Sequence, residues 1–293
     1  MTAHNPFLLS IISDEISQDP DIAIALARQY AFDGIELRSI WNKQVDLLPE
    51  QSLKGVVVSA AQAGLAISSI SSSFLKEDWG VDDTEKYERI ARACHICGCN
   101  SFRAFSFWKT AQYSDERFAD YLAAYDQKLE ADGLHMTIEN DPSVNISTGK
   151  ELARFFRRHS FRNIGVLWDP GNDIYTLGEQ AAPFPQYYEE LKDYVCHVHV
   201  KDAVVKDGEP VGVALGEGLM DFAGQFRALK RDGYSGWVTL EPHYRLEGTI
   251  DKELLKRPGG AAFSENGYLP SKICMENLRN LMKQLIEDDG ATE

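Results

Sequence analysis

Strand-like and helix-like segments alternate along almost the whole 293-residue chain. Short apolar stretches at 7–13, 33–38, 66–70, 101–105, 135–139, 165–169, 196–199 and 237–241 read as strands. Longer stretches with helical periodicity lie between them, at about 19–30, 49–63, 84–97, 114–132, 148–158, 185–191 and 222–231. Strands joined by helices run parallel, because the connection must cross back over the sheet. Roughly eight such units are the number that closes one parallel barrel. The alternative, an open doubly wound sheet, carries a glycine-rich turn after its first strand. Here that strand runs into Ser13-Asp-Glu-Ile-Ser-Gln-Asp19, with no glycine. The expected architecture is therefore α/β, a single (β/α)8 TIM barrel over residues 1–293. A long irregular loop at about 245–270, placed to be a lid or an interface arm, and a C-terminal amphipathic helix at about 275–287 complete it.

Four strands in the second half end in ligand-type residues: Glu139, Asp169, His199 and Glu241. Side chains alternate along a strand, so these four share an inward face with Thr137, Leu167, His197 and Thr239, one pleat below. Ile138, Trp168, Val198 and Leu240 then point out toward the helices, where large apolar groups belong. One register satisfies all four strands. Singly, such a Glu is a solvated loop residue and such a His a core histidine; together they make a metal site. Barrel active sites form at these strand ends. Three carboxylates and one imidazole suit one divalent ion, with Mn²⁺, Mg²⁺ or Co²⁺ favoured and Zn²⁺ also accommodated.

The net charge of −15 opposes a nucleic-acid partner and an anionic membrane surface, both of which require clustered Lys and Arg. No run approaches the roughly 18 apolar residues of a membrane span, and no secretory signal is legible, so a cytoplasmic location is expected. Cys94, Cys97 and Cys99 invite a zinc reading, but no second Cys or His cluster completes a tetrahedral site. They read as small buried hydrophobes at a helix–strand junction.

At these residues the chain resembles the xylose isomerase-like barrel superfamily, in its sugar phosphate isomerase/epimerase branch. The matching segments are Ile12-Ser-Asp-Glu-Ile-Ser, Gly34-Ile-Glu-Leu-Arg, Thr137-Ile-Glu-Asn, Trp168-Asp-Pro-Gly-Asn172, His197-Val-His-Val-Lys-Asp202, Leu215-Gly-Glu-Gly and Leu240-Glu-Pro-His243. The resemblance implies one divalent metal on Glu139, Asp169, His199 and Glu241, with Glu139 and Glu241 also moving a proton. Related ketose epimerases place a substrate-binding His three residues after the Asp, where this chain has Asn172, and an acidic residue six beyond the first Glu, where it has Asn145. These departures point away from a ketohexose 3-epimerase and leave the broad chemistry intact.

The expected reaction is an isomerisation or epimerisation of a sugar or sugar derivative. A metal-polarised carbonyl acidifies the adjacent C–H, and a glutamate removes that proton to give an enediolate. Loss of a β-hydroxyl instead would make the enzyme a dehydratase of a keto-polyol, as in the inosose dehydratases of the superfamily. Two other classes are a sugar-binding barrel without catalysis, opposed by the retained Glu139 and Glu241, and a three-zinc DNA-repair endonuclease, opposed by the charge and the few histidines. Around the metal, His197 touches substrate or buttresses a ligand. Lys201 assists proton transfer, binds substrate oxygen, or pairs with an acid. Arg103 and Glu36 face inward as polar wall residues or a core ion pair. Trp41, Trp79, Phe105 and Trp108 offer an apolar wall to a sugar or pack in the core. The partners expected are a small sugar or polyol and further copies of the chain, in a homodimer or homotetramer.

Overall fold

A computed structural model describes residues 5–290, with backbone only for the last three. Eight parallel strands close into a barrel: β1 (Leu8–Ile12), β2 (Gly34–Leu37), β3 (Ala66–Phe74), β4 (Ser101–Ala104), β5 (His135–Glu139), β6 (Ile164–Trp168), β7 (Val195–Val200) and β8 (Trp237–Leu240). β8 pairs back onto β1, so no barrel edge is left open. Thr239 lies level with His199 on one side and Ser10 on the other.

The alternation expected from the sequence is present. Ile138, Trp168, Val198 and Leu240 are buried in the apolar core that the strands share with the surrounding helices. Helix starts follow local chemistry. Asp19 accepts from the Asp21 amide ahead of helix Pro20–Gln29, and Ser114 from Arg117 ahead of Asp115–Asp132. Thr148 and Glu151 form a reciprocal capping box at Gly149–Arg158. Such caps contribute about 1 kcal/mol each.

Several elements differ from expectation. β6 is followed by a helix, Pro170–Leu177, capped by Asp169 itself. After β7 the chain makes a hairpin, Asp202–Lys206 against Glu209–Val213, whose two-residue turn places Asp207 and Gly208 at φ 53° and 82°. That left-handed pair is the usual Asp-Gly hairpin turn. The stretch at 245–270 is not wholly irregular: it contains helices Lys252–Lys256 and Ala261–Ser264. It also folds over its own barrel, with Ser264 Oγ donating to the Asp14 carbonyl (2.7 Å) and the Gly260 amide to Ser39 Oγ (2.9 Å). The terminal helix begins earlier than expected and spans Tyr268–Gly290. Cys94, Cys97 and Cys99 are buried free thiols, and no cluster of metal-type ligands among the described residues includes one. Among those residues, no helix is long and apolar enough to cross a membrane.

Candidate metal centre and active site

The strand ends bring Glu139, Asp169, His199 and Glu241 together. Each offers one ligand atom, all four atoms lie within 4.8 Å of one another, and all four residues are buried. His199 shows how the cluster is set. Its Nε2 lies 3.0 Å from Glu36 Oε1, on β2 across the barrel. A carboxylate accepts there, so Nε2 carries a proton and Nδ1 is the nitrogen turned to the cluster. Nδ1 has no hydrogen-bond partner, and stands 3.6 Å from Glu139 Oε1 and 3.7 Å from Glu241 Oε2.

A ring nitrogen aimed at buried carboxylate oxygens needs a cation between them, a proton in the free site or a metal ion in its place. Burial alone would lower the proton affinity of the ring, but Glu36, Glu139 and Glu241 hold it well above the ordinary histidine range. The Asp169 carboxyl shows the same excess of negative charge. Burial raises it, Lys201 lowers it, Glu139 and Glu241 raise it again, and it is pushed up to about 7. The donor set and its surplus of anionic oxygen therefore fit a divalent ion, which would displace the imidazole proton on binding.

Three cations surround the carboxylates. The Lys201 ammonium donates to Asp169 and to Glu241 Oε2 (2.6 Å). Burial disfavours its charge, yet Asp169, Glu241 and Glu139 raise its pKa above the ordinary lysine value, so it is a donor rather than a base in this state. Arg103 Nη1 donates to Glu139 Oε2 (3.1 Å), while its other nitrogens are held by the carbonyls of Ser71 and Ser72. Arg38 donates to Glu241 Oε1 (2.7 Å), Glu15 Oε1 (2.8 Å) and Asp14 Oδ1 (2.9 Å). Although Glu241 is buried, the Lys201 ammonium and His243 hold its carboxyl well below the usual range. Burial likewise opposes ionisation of Glu139, and Arg103 and His199 together outweigh it, so its carboxyl lies below the usual range.

Local sequence explains the support. In Asp169-Pro-Gly-Asn172, a Cβ on Gly171 would lie 2.6 Å from Lys201 Cγ and 2.7 Å from its carbonyl oxygen, so only glycine lets this turn pack over the lysine. Asn172 Nδ2 donates to the Asn140 carbonyl (2.7 Å) and reaches Glu139 Oε1 (3.3 Å). His197 lies lower in the barrel, its Nε2 2.9 Å from both Glu36 Oε2 and Thr239 Oγ1. It lines none of the cavities at the mouth, and of its two expected roles these surroundings support the buttress. Asn145 stands away from the cluster and clamps the carbonyls of Ser106, Phe107 and Trp108. The loop at Leu215–Asp221 is a turn. Its Gly216 and Gly218 amides both donate to the Asp202 carboxylate at 2.9 Å, which leaves them no anion to bind.

Two adjoining cavities open at the barrel mouth. One, of about 350 Å³, is lined by Glu139, Glu241, Lys201, Asn172, Tyr175 and His243 among others. The other, of about 420 Å³, is lined by Arg38, Phe105, Trp108 and Arg257 among others. Lys76, Arg103 and Pro258 line both. Trp41 is largely exposed, and Trp79 packs on Phe107 with ring centres 4.8 Å apart; neither lines these cavities. Arg38, Glu15 and Lys76 had not been singled out in the sequence. Arg38 follows directly in the inward register of Glu36, and that was the available signal.

A family model described as "Xylose isomerase-like TIM barrel" matches residues 24–261. The chain belongs to this family. Among curated relatives, an inosose dehydratase of Erwinia tasmaniensis is 28% identical in a 177-residue alignment that covers 52% of this chain and 58% of that protein. The chain thus spans little more than half the length of such relatives. Among solved structures, an L-ribulose 3-epimerase aligns with TM-score 0.72 at 16% identity over 97% of each chain. A probable 3-DHS dehydratase, AsbF from Bacillus anthracis, aligns with TM-score 0.70 at 16% identity over 92% of this chain and 98% of that one. At that identity these structures show the shared barrel fold alone. This member of the xylose isomerase-like family is a metal-binding-capable barrel similar in sequence to inosose dehydratases.

Proposed function

We propose that this protein is a divalent-metal-dependent isomerase or epimerase that moves a proton next to the carbonyl of a sugar or sugar derivative. The observation that carries the reading is the pairing of two buried carboxylates, Glu139 and Glu241, in the ligand cluster and on the wall of one cavity. A divalent ion held by Glu139, Asp169, His199 and Glu241 would supply a Lewis acid beside the substrate carbonyl. Glu241 removes the proton from the adjacent carbon, and the Lys201 ammonium and Arg38 balance the charge at its two oxygens. Glu139, beside Arg103, draws a proton from solvent and passes it to the resulting carbanion, while Glu241 releases to solvent the proton it took. Return to the opposite face gives an epimer; return to the neighbouring carbon gives an aldose–ketose shift. Lys201 donates a hydrogen bond to a substrate oxygen, and Asn172, whose Nδ2 protons go to Asn140 and Glu139, accepts one from a substrate hydroxyl at Oδ1.

A dehydratase reading is favoured by one specific observation, the inosose dehydratases among the curated relatives. There the same proton removal is followed by loss of a β-hydroxyl, and Lys201 is the donor placed to protonate the leaving oxygen.

The test is solvent exchange. In D₂O with Mn²⁺ and a panel of keto-sugars and inososes, the wild type should introduce deuterium beside the carbonyl. Glu241→Gln should keep bound Mn²⁺ by elemental analysis and lose exchange by about 100-fold, the scale of a positioned base. An absorbing conjugated enone among the products would select the dehydratase. Exchange near the wild-type rate in both Glu139→Gln and Glu241→Gln would reject the reading.

A further inference from the structure

Next to the anionic cluster, the mouth carries a concentration of positive charge that the chemistry above does not use. Lys256 Nζ and the Arg257 guanidinium each lie 5.2 Å from the Trp108 ring centre. Lys76 Nζ lies 5.8 Å from the same ring and 4.4 Å from that of Phe105. Lys76 is buried and balanced by Asp141 at 2.7 Å. Lys252, on the same short helix, is balanced by Glu209 at 2.8 Å. Lys256 and Arg257 form no ion pair among the described residues, although Glu253 is one turn away.

One cation satisfies an aromatic face; a second beside it adds repulsion. The composition makes the arrangement less expected still, since acidic residues outnumber basic ones 45 to 30. Their position gives the pair a use. Lys256 lines the cavity that holds Glu139 and Glu241, Arg257 lines its neighbour, and Pro258 lines both. A ligand with its carbonyl end at the cluster extends its far end toward these two side chains.

We infer that the substrate carries an anionic group, a carboxylate or a phosphate, received at the mouth by Lys256 and Arg257 with Trp108 packing against its carbons. The inference rests on the proposed reading of the cluster as the site of a polyhydroxylated carbonyl compound. Arg257 supplies a planar fork that matches either anion, and Lys256 a point charge.

The experiment compares three six-carbon probes by calorimetry at low ionic strength: glucitol, gluconate and glucitol 6-phosphate. At least one anionic probe should bind about tenfold or more tightly than glucitol, the equivalent of one charge-assisted contact. The tighter anion identifies carboxylate or phosphate as the group received. Lys256→Ala/Arg257→Ala should reduce the advantage below about threefold, with glucitol binding unchanged. Lys54→Ala/Arg162→Ala, which removes two exposed cations paired on the outer surface, should preserve it. Equal affinity for all three probes would overturn the inference, as would an advantage that survives the first double variant or vanishes equally in the second. Binding is read without turnover. A preserved anion preference with no solvent exchange would therefore remove the proposed reaction and leave the anion site standing.

Discussion

Replacing Glu36 by Gln tests how the metal centre is built. Glu36 lies on β2, fully buried, and touches no substrate cavity. Its carboxylate takes the His199 Nε2 proton at 3.0 Å and lies 2.9 Å from His197 Nε2 and 3.1 Å from the Thr239 hydroxyl. Gln keeps the volume but can accept at only one end and presents an amide donor at the other. A hydrogen bond to a charged group is worth about 1.5–3 kcal/mol and a neutral one about 1 kcal/mol. The change thus removes about 0.5–2 kcal/mol from the interaction that keeps His199 Nδ1 turned toward the cluster. Through the affinity relation this is a loss of about 2- to 30-fold, overlapping the 10- to 100-fold typical of groups that orient a ligand. Mn²⁺ titration by calorimetry should therefore show binding about tenfold weaker in Glu36→Gln, with Asp169 and Glu241 untouched. Nitrogen NMR of the metal-free protein should show the His199 imidazolium losing its proton at lower pH in Glu36→Gln than in wild type, because one carboxylate that holds that proton is gone. His199→Ala sets the scale, with a larger loss of metal. An affinity within twofold of wild type in a folded Glu36→Gln protein would refute the argument that Glu36 sets the ligand.

Two further outcomes follow from buried carboxylates elsewhere. Asp202→Asn should lower the melting temperature by about 4–8 °C, because four amides, those of Ala203, Gly216, Gly218 and Met220, lose their shared anionic acceptor; an unchanged melting temperature would show that the loop is held otherwise. Asp83 is raised to about 7 by burial and then by Glu77. Its folded value exceeds its unfolded one, so stability is greatest below about pH 4 and falls as pH climbs toward 7. Asp83→Asn should therefore gain about 2–4 °C over wild type between pH 5 and pH 8, by calorimetric scanning; a constant difference across that range would contradict the assignment.

The metal cluster was legible because it rests on local rules. Strand alternation places Glu139, Asp169, His199 and Glu241 on one face, and ligand chemistry distinguishes them from Thr137 and Thr239 beneath. Arg38 could be placed inside by the register of Glu36, but not matched to Glu241 and Glu15, which come from other strand ends and whose meeting no spacing encodes. Glu36 could be placed inside, but not matched to His199. The helix after β6 and the hairpin after β7 did leave signals: Asp169-Pro170 repeats the Asp19-Pro20 helix start, and Asp207-Gly208 is a hairpin turn. Lys256 and Arg257 lie in a stretch without periodicity, where tertiary packing alone decides what they face.

The four strand-end ligands all come from β5 to β8, whereas much of the mouth wall comes from chain following β2, β3 and β4: Arg38, Lys76, Phe105 and Trp108. The two halves of the barrel therefore answer to different pressures. Mutations at Lys76, Phe105 and Trp108 can reshape what enters without touching the chelating atoms, provided Glu36, Arg38 and Arg103 keep their contacts to His199, Glu241 and Glu139. Drift at those wall positions would change which ligands enter while the chelating set persisted. Exchanging the wall residues alone between family members, with Glu36, Arg38 and Arg103 retained, is a direct route to new specificities on an inherited ligand cluster.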